Sequence, residues 1–96
     1  MKISIDELAN KEFNDAIDWY ENQSEGLGKR FKKAVITQIK KIIKNPNWFL
    51  IEADNIYKAY IPKFPYKILF SIDKDMVTIW AIAHMHRKPW YWQSRK

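Results

Sequence analysis

The feature that most constrains this chain is a change of hydrophobic period at Asn45-Pro46. Upstream, apolar side chains recur every three or four residues, the signature of helices buried on one face. Ala9, Phe13, Ala16, Ile17 and Tyr20 share one helical face, in a helix expected to run to about Asn22. Ser4 followed by Glu7 has the spacing of a capping box at its start. Gly26 and Gly28 bracket Leu27 and break the chain; then Leu27, Phe31, Val35, Ile39, Ile42 and Ile43 form a second stripe, stopped by Pro46. Two amphipathic helices joined by so short a turn predict an antiparallel hairpin.

Downstream the period becomes 2. Residues 55–61, 64–73 and 76–83 are rich in β-branched and aromatic types and bounded by turn residues. Asp73-Lys74-Asp75 reads as a hairpin loop, Pro62 and Pro65 mark the approach to the second of these strands, and Met1 to Ile5 reads as a short strand of its own. The expected order is β-α-α-β-β-β in one domain, residues 1–96. The economical way to bury both helix stripes is an α+β fold with the helical hairpin packed on one face of a small antiparallel sheet.

Strict alternation assigns the faces. Tyr66, Ile68, Phe70 and Ile72, with Val77, Ile79, Ala81 and Ala83, are expected toward the helices. The opposite face then gathers Lys58, Tyr60, Lys67, Trp80, His84 and His86, with Arg87 beside them. That surface is cationic, aromatic and titratable. The Trp48-Phe49-Leu50-Ile51 run is expected to form a satellite core.

Charge and composition narrow the function classes. The absence of cysteine removes disulfides, thiolate catalysis and cysteine-based zinc sites, and fits a reducing cytoplasmic setting. The longest apolar run, Ile79 to Ala83, falls far short of the about 20 residues a membrane span needs, so no membrane partner is expected. No glycine-rich phosphate loop occurs, Glu52, Asp54, Asp73 and Asp75 lack metal-cage spacing, and no cofactor or metal is assigned. The net charge of +6 is unevenly spread: Asp6 to Glu25 carries seven acids and one base, whereas Lys29 to Lys44 carries seven bases and no acid. Such a run is either an ordinary solvated helix face or the footprint of a polyanionic partner.

Several residues together resemble a known family. Ala9, Phe13, Ala16, Ile17 and Tyr20, then Gly26-Leu27-Gly28, Phe31 and Asn45-Pro46, are followed by Phe64-Pro65-Tyr66 and the ending His84-x-x-Arg87-x-Pro89-x-Tyr91-Trp92. Over nearly its whole length the chain resembles the RelE/ParE superfamily of bacterial type II toxin–antitoxin toxins. The resemblance implies a cytoplasmic toxin held by a cognate antitoxin protein. RelE-like members cleave mRNA at the ribosome; ParE-like members poison DNA gyrase and cut no RNA. The activity expected here is growth inhibition by ribosome-dependent mRNA cleavage, with gyrase inhibition without nuclease activity, or an inactive binding module on the same fold, as the alternatives. The basic and tyrosine positions of RNA-cleaving members fall here on Lys58, Tyr60, Lys67, Arg87 and Tyr91, with Tyr60 standing where a lysine is expected.

Metal-free RNA cleavage needs a base for the 2′-hydroxyl, cations for the developing phosphorane charge and an acid for the leaving oxygen. Lys58, Lys67, His84, His86, Arg87 and Tyr91 are the candidate catalytic set. Tyr60, Lys63, Trp80, Trp90 and Arg95 are candidate RNA contacts, since aromatics beside arginine grip unstacked bases. The structural alternatives are that the histidines satisfy a sheet edge, the lysines solubilise it, and one of Trp90 and Trp92 packs the tail against the sheet.

Overall fold

A computed structural model of the chain describes residues 1–87 and 91–95. The chain runs β1 (Lys2–Ile5), α1 (Glu7–Gln23), α2 (Leu27–Lys44), a single 3₁₀ turn (Pro46–Trp48), β2 (Leu50–Ala53), β3 (Ile56–Tyr60), β4 (Tyr66–Asp73), β5 (Met76–His84) and a second 3₁₀ turn (Gln93–Arg95). The five strands form one sheet in the order β1-β5-β4-β3-β2, and the two helices pack on one of its faces. The expected α+β fold is present. One pairing departs from the expected antiparallel sheet: β1 runs parallel to β5. The α1–α2 hairpin between β1 and the rest of the sheet supplies the long crossover that a parallel pair requires.

The helices start for reasons partly visible in sequence. The cap of α1 is Asp6, whose carboxylate accepts from the Leu8 and Ala9 amides, and not Ser4, which is committed to pairing with Thr78. Gly26 sits at φ 82°, a left-handed conformation that favours glycine, and lets the chain reverse. Glu21 at the end of α1 then accepts from the amides of Gly26 (2.9 Å) and Gly28 (3.0 Å), satisfying donors at the start of α2. A Cβ on Gly28 would lie 2.5 Å from the Ile17 carbonyl oxygen, so the two helices touch backbone to backbone there.

Both stripes face the sheet. Ala9, Ala16, Tyr20, Phe31, Val35 and Ile42 are buried with Ala59, Ile68, Phe70, Val77 and Ile79. Phe64-Pro65-Tyr66 belongs to this core: the Phe64 and Tyr66 rings lie edge-on to Phe31 at 5.1 and 5.0 Å. The motif rivets the start of β4 to the hairpin.

Two expectations are corrected. The run after Pro46 is no satellite core: it ends in the edge strand β2, and Trp48 is 82% exposed, although Phe49 packs edge-on against Phe70. The alternation along β5 also fails at Trp80. Leu69 pairs with Ala81 and Phe70 with Ile79, so Trp80 is an extra residue, a β-bulge. Beyond it every side chain changes face. Ala81 packs on the side away from the helices with Ile56, Leu69 and Trp92, whereas Ile82 joins the helix-side core. His84 follows Ile82 and lies edge-on to Tyr66 at 5.3 Å.

Candidate functional site

The structure divides the expected surface into two clusters. The first lies on the sheet face away from the helices. Adjacent register positions on β3 and β4 put Lys58 and Lys67 on this face, where Glu52 of β2 takes both ammonium groups, at 3.6 Å from Lys58 and 3.2 Å from Lys67. All three side chains are four-fifths covered or nearly so. Lys58 also sits over the Tyr60 ring at 5.7 Å. The Tyr60 side chain and then the Glu52 carboxylate raise the Lys58 ammonium above its ordinary value, the direction opposite to that of a lysine prepared to act as a base. A cleft of about 110 Å³ adjoins this cluster, with Glu52, Lys67, Met85, Arg87, Tyr91 and Trp92 among its walls.

The second cluster lies at the end of β5 against α1. His84, Arg87 and Tyr91 line a cleft of about 290 Å³ with Glu12, Asp15 and Trp19. The His86 amide donates to His84 Nδ1 at 3.1 Å, and the two imidazoles are 5.2 Å apart. His84 and His86 are therefore not alongside Lys58 and Lys67 as alternation predicted; the bulge at Trp80 separates them. Arg87 and Tyr91 border both clefts, and the Arg87 guanidinium lies 4.2 Å from the Tyr91 ring centroid.

The tail is held by one carboxylate. Glu12 accepts from Tyr91 Oη (2.6 Å), from both terminal nitrogens of Arg95 (2.8 and 3.1 Å) and from the Ile82 amide (3.1 Å). Arg95 also donates to the Trp80 carbonyl at 3.1 Å. These two backbone groups lie on β5 beyond the last residue paired with β1, where the edge would otherwise be unpaired. Burial, and then the hydrogen bond to Glu12, push the Tyr91 phenol well above its ordinary value. Trp92 is buried on Ile56, Leu69 and Ala81, so the expected packing of one tryptophan is met and much of the sheet face is covered.

The remaining candidates scatter. Trp80 is on the expected face, but its indole N–H donates to Ser71 Oγ at 2.8 Å and the ring is half-buried. Lys63, in the β3–β4 loop at φ 69°, lies on the helix side, on the rim of a groove of about 570 Å³ between that loop and α2. Arg95 is committed to Glu12. Trp90, and the turn expected at Pro89, lie outside the described residues. Among the described residues no group of three or more His, Cys, Asp or Glu side chains is placed to hold a metal ion.

Sequence reasoning missed Glu52 and Glu12. Glu52 had a signal, being the lone charge in an otherwise apolar stretch; Glu12 had none, as one acid among seven before residue 26.

Comparison with known proteins places this geometry in a lineage. The family model described as ParE toxin of type II toxin-antitoxin system, parDE, matches residues 3–89. The chain belongs to this toxin family. Among solved structures it is similar to a chain of the chromosomal ParDE toxin–antitoxin system from P. aeruginosa, with TM-score 0.74, 15% identity, and coverage of 88% of this chain and 95% of that one. It is also similar to the isolated E. coli RelE toxin, with TM-score 0.67, 15% identity, and coverage of 97% and 93%. At such identity these two report the fold alone. No curated protein sequence matches the chain. Among the described residues, no helix of this ParE-family toxin is long and apolar enough to cross a membrane.

Proposed function

We propose that this ParE-family toxin arrests growth by binding and disabling DNA gyrase, and that it does not cut RNA. The observation that carries this reading is the position of Glu52 between Lys58 and Lys67. Cleavage chemistry wants an unneutralised cation beside the scissile phosphate and a base poised near the working pH. Here one carboxylate is shared by both lysines and offsets one of their two charges, the Lys58 ammonium is held more firmly protonated, and the Tyr91 hydroxyl is occupied by Glu12. Trp92 occupies sheet face that an RNA base would need for stacking. As the toxin of a two-protein module, the chain is held inactive by a cognate antitoxin, and its +6 charge favours an acidic, extended segment in that partner.

Arg87 favours a second reading. It is exposed, forms no ion pair among the described residues, and borders both clefts. In a RelE-like mechanism Arg87 holds the scissile phosphate, Lys67 stabilises its developing charge, and Lys58 or His84 moves protons. Inducing the toxin while mapping RNA 5′ ends and plasmid supercoiling separates the two. The gyrase reading expects altered supercoiling, no new RNA ends, and arrest that persists in a Lys58→Ala, Lys67→Ala variant. New RNA ends lost with Arg87→Ala would reverse the assignment.

A further inference from the structure

The structure moves the available positive charge to a place where no function has been assigned. Four cations of the chain are ion-paired among the described residues: Lys11, Lys58, Lys67 and Arg95. None of the seven bases of α2 is, and all seven are exposed; Lys29 lies within electrostatic reach of Glu21. On a helix of 3.6 residues per turn, Lys29, Lys33, Lys40 and Lys44 fall within about 60° of one another, opposite Phe31. Arg30 and Lys41 flank them on one side and Lys32 on the other. The strip from Lys29 to Lys44 is about 22 Å long at 1.5 Å per residue. Over that length a duplex presents on the order of a dozen phosphate charges.

Two features say what this strip fits. A protein partner would need an apolar or aromatic centre to bury, because charges are depleted at the core of protein interfaces. The solvent side of α2 offers a single exposed apolar side chain, Ile36, and no aromatic one: the one aromatic residue between Lys29 and Lys44 is Phe31, and it is buried. The same absence argues against single strands, which are gripped by stacking bases on aromatic side chains. An aromatic-free row of flexible cationic side chains along α2 matches evenly spaced phosphates and reads no sequence.

We propose that the solvent face of α2 binds the phosphate backbone of duplex nucleic acid, independently of sequence. This goes beyond the gyrase reading, under which the strip would rest on the DNA that the target holds. The surface is also distinct from the sheet-face cluster, lying on the opposite side of the molecule.

The test uses the full chain released from its antitoxin, with fluorescence anisotropy on labelled 20-base-pair duplexes of DNA and of RNA, and on single-stranded DNA, across a salt series. The expected result is duplex binding that weakens linearly in log–log form with salt and is tighter than single-strand binding. Lys33→Gln, Lys40→Gln should reduce the slope by about 2 and weaken binding about tenfold or more at 0.1 M salt. A charge-matched Lys2→Gln, Lys74→Gln variant, altered at the far edge of the sheet and in the β4–β5 loop, should keep the parent slope. The DNA and RNA arms identify which duplex is preferred. Equal losses in both variants, tighter binding of single strands, or binding of an acidic helical peptide in place of any duplex would overturn the proposal. Because no gyrase is present, failure here leaves the gyrase reading intact, and duplex binding without gyrase inhibition does the reverse.

Discussion

At the residue scale, two carboxylates decide what the sheet face can do. Glu52 bridges Lys58 and Lys67 with all three side chains largely covered, so its removal leaves two ammonium groups facing each other. Glu52→Gln should lower stability by about 1 kcal/mol, at the upper end for partly exposed pairs, read by denaturant midpoint. The same variant should create no RNA cleavage. Glu12 ties Tyr91, Arg95 and Ile82 together, and Glu12→Ala should cost about 1.5–3 kcal/mol through the donors it strands. Loss of Trp92 burial, seen as a red-shifted tryptophan emission, should accompany it. Tyr91 gives this clamp a pH dependence. Its folded phenol is raised above the ordinary 10.0, so the stability it contributes is complete below that pH and is lost as the pH climbs past it. Tyr91→Phe should flatten that alkaline limb. The sequence marks Glu52 as a charge in an apolar run without showing which lysines it meets, and does not mark Glu12 at all. Residue type and spacing mark the lysines and Tyr91 as groups with chemistry to offer. Their partners are acids on other elements, Glu52 on the neighbouring edge strand and Glu12 on α1, and alternation carries no information about which acid will reach them.

At the element scale, legibility tracks periodicity. The helix hairpin follows from its stripes because a 3.6-residue pattern sustained over four turns has few other solutions. Phe31→Ala should cost about 3–5 kcal/mol, as a fully buried ring in contact with Tyr20, Phe64 and Tyr66 is lost. Gly28→Ala should also destabilise, since the Ile17 carbonyl that a new Cβ meets is backbone and cannot step aside. A thermal melt of each reports both effects. β2 escapes a sequence reading because four residues at a sheet edge, with the apolar pair Leu50 and Ile51 exposed, show no alternation. The bulge escapes for a different reason. Trp80 fits a strict period-2 strand perfectly well, and only pairing with β4 shows that Ala81, and not Trp80, stands opposite Leu69. That single extra residue sends His84 to the helix side, away from Lys58 and Lys67, while Lys67, Arg87 and Tyr91 still line one cleft.

At the scale of the whole molecule, the fold segregates charge. Acids concentrate on α1 and its flanks, bases on α2, and the two lysines of the sheet face share one carboxylate. The most direct measurement adds purified toxin, in parallel, to gyrase with relaxed plasmid and ATP, and to ribosomes programmed with a defined mRNA. A gyrase-directed toxin should give dose-dependent loss of supercoiling that added antitoxin reverses, with the mRNA left whole. Full supercoiling at saturating toxin, together with ribosome-dependent cleavage of the mRNA that disappears on Arg87→Ala, would contradict it.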